Sequence, residues 1–285
     1  MPTKNDITKT VKQIKEKLGE EKFVVVLYST KAGTGKTTLT QNLAHFFSIT
    51  CKLNVTAIDS CPAHESLSVW EAQRRAQYGS KPDHNNAPYT IIKELSANDL
   101  PMTIDKIDSD ITLIDVGGSQ EAIAGSAAPA SDIVIIPTSD SRLEFDRVDR
   151  AIDAIEFSVS RPRSGSARGV WSEENPSGVQ IAVALSRTSP NGKNILEGMK
   201  EYFSKDRKDG SGNIIGKAVS VIESPFSQRR KQKTFASNWT ATSAGLDFAD
   251  LDNKEPEFQE VASFGIEVMT MLLGGVTVEP CHGGQ

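Results

Sequence analysis

Residues 31–38 read Lys-Ala-Gly-Thr-Gly-Lys-Thr-Thr, and this stretch decides the fold. An apolar run over 23–29, typical of a buried parallel strand, precedes it, and residues 38–47 have the apolar spacing of a helix. Glycines between a strand and a helix let consecutive backbone N–H groups turn toward an anion at the positive end of the helix dipole. The stretch therefore predicts a phosphate-binding loop; the alternative is a chance glycine turn that caps a helix.

Eight residues of this loop are candidates for contact with a nucleotide. They are Lys31, Ala32, Gly33, Thr34, Gly35, Lys36, Thr37 and Thr38. In the pattern G-x-x-x-x-G-K-[ST] the lysine reaches the β- and γ-phosphates and the hydroxyl binds Mg²⁺, which assigns these roles to Lys36 and Thr37. Thr30 stands where that pattern has its first glycine. The expected ligands are ATP and Mg²⁺.

A second apolar run, over 111–115, ends in an acidic residue. A carboxylate at the end of a buried strand is suited to hold hydrated Mg²⁺, so Asp115 is the second predicted metal ligand beside Thr37. Capping of the following helix is the alternative for Asp115. Gly117 and Gly118 offer a flexible turn after it, which we expect to act as a switch near the γ-phosphate.

Predicted strands alternate with predicted helices along the chain. The strands are expected at 23–29, 54–59, 89–92, 111–115, 133–137, 179–185 and 218–222. The helices are expected at 38–47, 65–77, 142–159, 194–203 and 258–273, with loops at 79–88, 160–177 and 204–215. This alternation predicts an α/β fold with a doubly wound, mostly parallel sheet. We expect one domain over 23–274, an N-terminal extension over 1–22 and a flexible tail over 275–285.

The composition is that of a cytoplasmic globular protein. Hydrophobic residues make up 38% and charged residues 24%, and 32 basic against 37 acidic residues give a net charge of −5, so any DNA contact must come from a local patch. The three cysteines form no C-x-x-C pair, which argues against a disulfide framework and against a four-cysteine metal site. No apolar run approaches ~18 residues, so we expect neither a membrane span nor a signal core.

The loop resembles that of the deviant Walker A ATPases of the ParA/MinD type, which reads K-G-G-x-G-K-T-[ST]. Lys31 matches the early lysine of that pattern, whereas Ala32 replaces its first loop glycine. In this family the early lysine reaches across a dimer interface to the partner's nucleotide. The resemblance therefore implies a P-loop NTPase fold of the deviant Walker A type and an ATP-dependent homodimer closed by Lys31. A solvated surface lysine is the alternative.

The resemblance continues beyond the loop, and it is strongest between 23 and 145. Residues 114–119, 131–137 and 143–145 are similar to segments of the small plasmid-partition ATPases, which read D-G-x-G-S, S-D-L-V-I-I-P and L-D-F. Relatives contact the adenine base at the positions of Arg187 and Pro225, which the resemblance makes candidate nucleotide contacts.

One departure from the family concerns hydrolysis. The family's second strand ends in D-x-D-P-Q, and here Pro62 aligns Asp59 with the first aspartate and Cys61 with the second. A thiol is a weak acceptor and does not orient water as a carboxylate does. The catalytic candidates are therefore Lys31, Lys36 and Asp59, and turnover is expected to be slow. The alternative is that Cys61 is a tolerated variation at a site where hydrolysis is already slow.

A basic run at 227–234 is the candidate DNA contact. Its charged residues are Arg229, Arg230, Lys231 and Lys233. Concentrated positive charge binds phosphates without reading sequence, and partition ATPases hold nonspecific DNA with a similar segment. A solvated charged face is the alternative. Arg161, Arg163 and Arg168 form a looser patch that we interpret as a flexible loop.

Both ends of the chain bear on the question of membrane binding. Residues 5–19 have the apolar spacing of an amphipathic helix, for which docking on the protein's own surface ranks ahead of a partner or an anionic membrane. MinD-type proteins carry a basic membrane helix after the core, and residues 276–285 have neither the length nor the charge for one. We expect no membrane attachment.

These features together predict a ParA-like ATPase of plasmid or chromosome partition. It would dimerise on ATP, bind DNA nonspecifically, associate with the nucleoid in the cytoplasm and respond to a centromere-binding adaptor protein. The alternative is a nucleotide-locked, weakly or non-hydrolysing scaffold on DNA or in a conjugation or secretion machine. A kinase using the same loop lacks a recognisable acceptor cluster.

Overall fold

The structure is a computed structural model of the chain. It describes residues 12, 15–16, 21–61, 67–72, 89–118, 120–139, 141, 144–160, 178–188, 192–208, 211–216, 218–227 and 256–274.

Nine strands form two sheets in this part of the chain. They are β1 (Phe23–Leu27), β2 (Val55–Ser60), β3 (Thr90–Lys93), β4 (Ile111–Val116), β5 (Ile133–Thr138), β6 (Gln180–Thr188), β7 (Arg207–Lys208), β8 (Ile214–Gly216) and β9 (Ser220–Ser227). Seven of them build one sheet in the order β3-β2-β4-β1-β5-β6-β9, with every pair parallel. Strands β7 and β8 pair antiparallel as a separate ribbon. The predicted α/β fold with a parallel sheet is confirmed.

Helices cover both faces of the large sheet. They are α1 (Lys36–His45), which continues as a π-helical turn over Phe46–Thr50, α2 (Leu100–Lys106), α3 (Glu121–Ala127), α4 (Phe145–Val159), α5 (Gly192–Phe203) and α6 (Pro256–Leu272). Residues 67–72 are also helical. Because both faces are covered, the central strands are buried along their whole length, which is why they read as continuous apolar runs.

The two faces have separate cores. On one face Val25 and Leu113 of the sheet share a core with three helical residues. These are Leu39 of α1, Leu67 of the helical stretch 67–72 and Phe264 of α6. On the other face the core gathers side chains of α2, α3, α4 and α5 against the sheet, among them Ile104, Ile123, Ile152 and Met199. The predicted phosphate loop leads directly into α1, and the buried side chains of α1 belong to the first of these cores.

The structure differs from the sequence-based predictions in several elements, among them α3, which was not predicted. Residues 204–215 were predicted as a loop, which is wrong, because β7 and part of β8 lie there. Helix α2 was not predicted, since it is short and carries a proline in its first turn, where proline is tolerated. Strand β9 extends past its predicted end through Pro225, which is possible because β9 is an edge strand with no neighbour on one side in the described sheet.

The predicted extension over 1–22 and tail over 275–285 lie almost wholly outside the described residues. In the extension the ammonium group of Lys15 donates a 2.8 Å hydrogen bond to the backbone carbonyl of Lys52, just after the π-helical turn. This contact supports the interpretation that the extension docks on the protein's own surface. None of the helices in the described ranges combines the length and apolar character that a membrane span requires.

Candidate nucleotide-binding site

The register of the sheet brings the candidate acidic residues to the start of the loop. Leu27 of β1 pairs with Asp115 of β4, and Asp115 pairs in turn with Asp59 of β2. These three residues therefore lie side by side at the carboxyl edge of the sheet, where open parallel sheets bind their ligands. Their separation in the sequence gives no hint of this alignment, which follows from strand order.

The loop backbone has the conformation that phosphate binding needs. Gly33 and Gly35 have φ angles of 77° and 91°, in the left-handed region that favours glycine. Helix α1 begins at Lys36, immediately after Gly35. Because Gly35 has no side chain to cap the helix, the N–H groups of the first turn face the loop and can receive an anion.

Lys36 lies folded back onto the loop. Its ammonium group donates to the carbonyl of Lys31 at 2.9 Å and to Ser29 Oγ at 3.2 Å, and the side chain is buried. Burial lowers the pKa of Lys36 from its ordinary value, while neighbouring Asp115 acts in the opposite direction. The positive charge is therefore positioned within the loop, as the motif predicts.

Thr37 and Asp115, the two residues predicted to bind Mg²⁺, contact each other directly. The Thr37 hydroxyl donates to Asp115 Oδ2 at 2.6 Å. Burial raises the pKa of Asp115 to about 6, with Thr37 and Lys36 acting against that rise and Asp59 adding to it. The other carboxylate oxygen, Asp115 Oδ1, is buried and has no hydrogen-bond partner among the described residues. Hydroxyl and carboxylate oxygens are the ligands that Mg²⁺ prefers, so these two residues fit the ion.

Asp59 is engaged by backbone groups on both oxygens. Its Oδ2 accepts from the backbone N–H of Ser68 at 2.8 Å and its Oδ1 accepts from the backbone N–H of Cys61 at 3.3 Å, while the side chain is fully buried. Asp59 thus joins the end of β2 to the helical residues 67–72. This geometry lets Asp59 hold the backbone of Cys61 in place, and its catalytic role stays a prediction from the sequence.

Cys61 lies between the end of β2 and the glycine turn after β4. Its thiol is half-buried, and its Sγ would be 3.0 Å from a Cβ atom added at Gly117. The turn over 117–118 therefore packs directly against the residue that replaces the family's second aspartate.

Lys31 is bound within its own chain. Its ammonium group lies 2.8 Å from Glu144 Oε1, and the two side chains are 46% and 13% exposed. Arg147 also contacts Glu144, at 3.3 Å, and the hydrogen bond from Lys31 is the main reason that the pKa of Glu144 is lowered. The sequence predicted no role for Glu144, whose one signal was its position in the segment similar to L-D-F.

Gly118 closes the switch turn onto the phosphate loop. A Cβ atom at this position would lie 2.7 Å from the backbone nitrogen of Ala32 and 2.8 Å from the carbonyl carbon of Lys31. Only a residue without a side chain fits so close to another stretch of backbone. The turn after β4 and the peptide that follows Lys31 are therefore in contact.

Two hydroxyl residues of the site carry no sequence signal. Ser29 follows β1 in the chain and contacts Lys36. Ser186 of β6 contacts the backbone of Thr34. Ser186 is 152 residues from Thr34 in the chain, so no local motif could have identified it.

The remaining candidates lie in the last two strands of the large sheet or outside the described residues. Arg187 lies in β6 and half-buried Pro225 lies in neighbouring β9, so both candidate adenine contacts are near the carboxyl ends of adjacent strands. The four candidate DNA contacts are outside the described part of the chain, namely Arg229, Arg230, Lys231 and Lys233. The looser patch at 161–168 is outside it as well.

Comparison with protein families identifies the family of the phosphate loop and its neighbouring strands. The family model of the ATPase MipZ matches residues 23–180, more than half of the chain. This range contains the phosphate loop, Asp59, Asp115 and Glu144. Comparison with curated proteins gives no significant match.

Comparison with solved structures finds the same fold in several proteins. A putative plasmid partition protein from Borrelia burgdorferi, bound to AMPPNP, has 15% identity and a TM-score of 0.57 over 88% of this chain and 100% of that chain. MinD in the MinC:MinD complex of Aquifex aeolicus has 15% identity and a TM-score of 0.56, covering 90% and 97%. McdA of Cyanothece in its ATP complex has 17% identity and a TM-score of 0.53, covering 90% and 98%. At these identities the likeness is one of fold.

Proposed function

Since this chain belongs to the MipZ family of ATPases, we propose that it is a ParA-like ATPase that dimerises on ATP, binds DNA nonspecifically and acts in plasmid or chromosome partition. The resemblance to ParA/MinD-type ATPases that the sequence predicts is confirmed by the family match. The observation that carries the proposal is the loop itself, in which Lys36 and the Thr37–Asp115 pair lie together while Lys31 stands at the loop's outer side.

The nucleotide is ATP with Mg²⁺, the ligands of this family of ATPases. When bound, Mg²⁺ would offset the charge of the β- and γ-phosphates. Thr37 and Asp115 would hold it, and the N–H groups of Gly33, Gly35 and the first turn of α1 would receive the phosphates. Lys36 would leave the Lys31 carbonyl and Ser29 to contact the phosphates, which replaces two neutral acceptors with charged ones and strengthens each hydrogen bond.

Lys31 would close the dimer. To reach a partner's nucleotide it has to leave Glu144, and Arg147 then remains beside Glu144 to balance its charge. Because the Lys31–Glu144 pair is partly exposed, separating it requires little free energy. The negative charge of the partner's nucleotide would therefore draw Lys31 away from Glu144 and into the dimer interface.

Turnover would be slow. Cys61 stands where the family has a carboxylate, and a thiol does not position water as a carboxylate does. Both oxygens of Asp59 accept backbone N–H groups, which supports a role for Asp59 in holding the end of β2. ATP would consequently stay bound for long periods, as a positioning ATPase needs.

Nonspecific DNA would bind at the basic segment 227–234 of the cytoplasmic, nucleoid-associated dimer. Strand β9 leads directly into this segment, and β9 pairs with β6, whose Ser186 contacts the phosphate loop. Contacts therefore run from the phosphate loop through β6 to β9, the strand that precedes the basic residues in the sequence. A centromere-binding adaptor protein would stimulate hydrolysis and release the dimer from DNA.

The first test is steady-state ATP turnover with and without nonspecific duplex DNA. We expect slow hydrolysis that is abolished in Lys36→Ala, increases with DNA and increases further in Cys61→Asp. Lys106→Ala, an exposed lysine of α2, is the control for removal of a positive charge. Turnover that is unchanged in Lys36→Ala would contradict the assignment of the loop.

The second test separates dimerisation from DNA binding. Lys31→Ala should bind ATP but stay monomeric in sedimentation velocity, whereas wild type with ATP should dimerise. Neutralising the basic residues between 229 and 233 should leave the dimer intact and weaken DNA binding. The salt dependence of DNA binding should fall by about one unit of slope for each basic residue that no longer binds a phosphate. An unchanged salt dependence would contradict the proposed DNA contact.

The thiol of Cys61, in place of a carboxylate, favours one alternative function. If ATP binds and stays uncleaved until Cys61→Asp restores turnover, the protein is a nucleotide-locked scaffold on DNA or in a conjugation or secretion machine. The dimer of such a scaffold would form and separate through nucleotide binding and exchange, without hydrolysis.

A further inference from the structure

A hydroxyl group outside the loop holds the loop in place. Ser186, near the end of β6, is buried, and its Oγ lies 2.5 Å from the carbonyl oxygen of Thr34 and 3.0 Å from that of Thr138. A serine hydroxyl has one proton to donate. Both carbonyl oxygens are acceptors within reach of that proton, so the hydroxyl of Ser186 links the loop to the end of β5.

Thr34 is in turn connected to Lys36 through buried polar groups. Its Oγ1 lies 2.8 Å from Ser29 Oγ, and Ser29 Oγ lies 2.8 Å from the Lys31 carbonyl and 3.2 Å from Lys36 Nζ. Because Ser29 donates its single proton to the Lys31 carbonyl, Thr34 is the donor to Ser29. Thr34 is thus held at its carbonyl by Ser186 and at its side chain by Ser29.

The peptide that Ser186 contacts joins Thr34 to Gly35. Thr34 stands between Gly33 and Gly35, both with positive φ angles. In a planar trans peptide the carbonyl of one residue and the N–H of the next point in opposite directions. A hydrogen bond that holds the Thr34 carbonyl toward β6 therefore directs the N–H of Gly35 away from β6.

We propose that Ser186 is a positioning residue for the phosphate loop, which sets the direction of the Gly35 N–H and through it the affinity for the β-phosphate. Rotation of this peptide would turn the Thr34 carbonyl, a partial negative charge, toward the phosphates. Rotation of this peptide changes the φ angle of Gly35, where a glycine offers little steric resistance, so the hydrogen bond from Ser186 adds a restraint from outside the loop.

The test compares Ser186→Ala with Ser131→Ala. Ser131 is a matched control, because it is also buried and its hydroxyl also donates to a backbone carbonyl, that of Ala128 at 2.8 Å, just before the amino-terminal end of β5. We expect Ser186→Ala to lower the affinity for ADP about tenfold and the affinity for AMP, which lacks the β-phosphate, by less than about threefold. Ser131→Ala should bind both nucleotides as wild type does, even if its thermal midpoint falls equally.

A readout without nucleotide is amide hydrogen exchange. Exchange at Gly35 in the nucleotide-free protein should be faster in Ser186→Ala and unchanged in Ser131→Ala. If Ser186→Ala does not fold, Ser186→Cys provides the same test with a weaker donor of similar shape, and its ADP affinity should fall by a smaller factor. ADP affinity within about twofold of wild type, or equal decreases for ADP and AMP, would overturn the role of Ser186.

The inference rests on the nucleotide binding proposed for the loop and not on DNA or dimerisation. Lys36→Ala in the same titration distinguishes the two cases. Loss of ADP binding in Lys36→Ala with no effect of Ser186→Ala rejects Ser186 alone, whereas binding that survives Lys36→Ala rejects the assignment of the loop and with it the role of Ser186.

Discussion

The carboxyl group of Asp115 shows how metal binding and stability oppose each other at a single residue. It is buried at the end of β4, where one oxygen accepts from Thr37 and the other is without a hydrogen-bond partner in the described part of the chain. Burial raises its pKa to about 6, so the nucleotide-free protein holds a proton there more tightly than the unfolded chain does. A cation would replace that proton.

Replacement of Asp115 by Asn should therefore stabilise the nucleotide-free protein. A raised pKa means that the native state binds more protons than the unfolded state between about pH 4 and pH 6, so the stability of wild type falls as pH rises through that range. The advantage of Asp115→Asn should be absent near pH 4, grow to about 2–3 kcal/mol at most near pH 6 and stay constant above it. Urea unfolding without nucleotide at several pH values measures this.

The same variant should no longer show Mg²⁺-dependent ATP binding, since an amide is a weaker ligand than a carboxylate. Asp108→Asn is the control, because Asp108 is an exposed surface carboxylate that pairs with Lys22 far from the loop. A variant that is destabilised at pH 7.5 would contradict the raised pKa of Asp115, and one that binds Mg²⁺–ATP as wild type does would show that Asp115 is not the metal ligand.

The contact between Lys31 and Glu144 leads to a prediction about dimerisation. If Lys31 must leave Glu144 to close the dimer, Glu144→Gln should favour the dimer, because the bond that competes for Lys31 is weakened. Partly exposed ion pairs contribute about 0.2–1 kcal/mol, so the ATP concentration at half-dimerisation should fall by up to about fivefold.

Sedimentation at graded ATP concentrations measures this shift. Arg147→Gln is the comparison variant: it removes the residue that balances Glu144 once Lys31 has left, so it should not favour the dimer. An unchanged or weaker dimer in Glu144→Gln would show that the bond to Glu144 is not a competitor of dimerisation.

At the scale of elements, the turn after β4 and the phosphate loop form one packed unit. Gly117 packs against the Cys61 thiol and Gly118 packs against the Lys31–Ala32 peptide. The turn therefore contacts both the residue expected to govern hydrolysis and the residue expected to govern dimerisation. A change of nucleotide state at the turn would move both.

Gly118→Ala should disrupt this unit. Its Cβ would lie 2.7 Å from Ala32 N, so one of the two backbone segments has to move. We expect a decrease of about 1–3 kcal/mol in stability, as for other overpacked sites, and no ATP-dependent dimerisation.

Gly198→Ala, in α5, is the control, because a Cβ added there meets nothing within 4 Å. It should be neutral or stabilising by up to about 1 kcal/mol, since alanine favours a helix. Thermal unfolding and sedimentation of both variants check the prediction; wild-type behaviour of Gly118→Ala would mean that the turn and the loop move independently.

At the scale of the whole molecule, ATP should stabilise the fold through linkage. The loop joins β1 to α1, and its residues contact β4, β6 and the start of α4, so the ligand holds distant parts of the chain together. At a ligand concentration of about 100 times Kd the gain is about 2.7 kcal/mol, which corresponds to a rise in Tm of about 5–10 °C for a domain of this size.

Thermal unfolding with and without Mg²⁺–ATP measures this rise. Lys36→Ala should show little of it, whereas Lys106→Ala should show all of it. A full shift in Lys36→Ala would place the stabilising site away from the loop.

Local patterns were sufficient for the motif and for most elements. Apolar runs predict the central strands, because strands covered on both faces bury every side chain, and Gly33, Gly35 and Lys36 identify the loop because their spacing reflects one local backbone path. Short elements were missed or misplaced, among them α2 and the β7–β8 ribbon. Their few residues make too little local pattern to separate them from loops.

The sequence by itself determined the fold of this protein and its membership of a family of ATPases. It also determined which residues are the candidates to contact phosphate and metal. The tertiary structure alone decided that Glu144 holds Lys31, that Asp59 is engaged by backbone groups and that Ser186 reaches the loop from β6. The physical reason is distance along the chain. A loop motif is encoded in adjacent residues, whereas the groups that hold it come from strand ends that only the order and register of the sheet bring together.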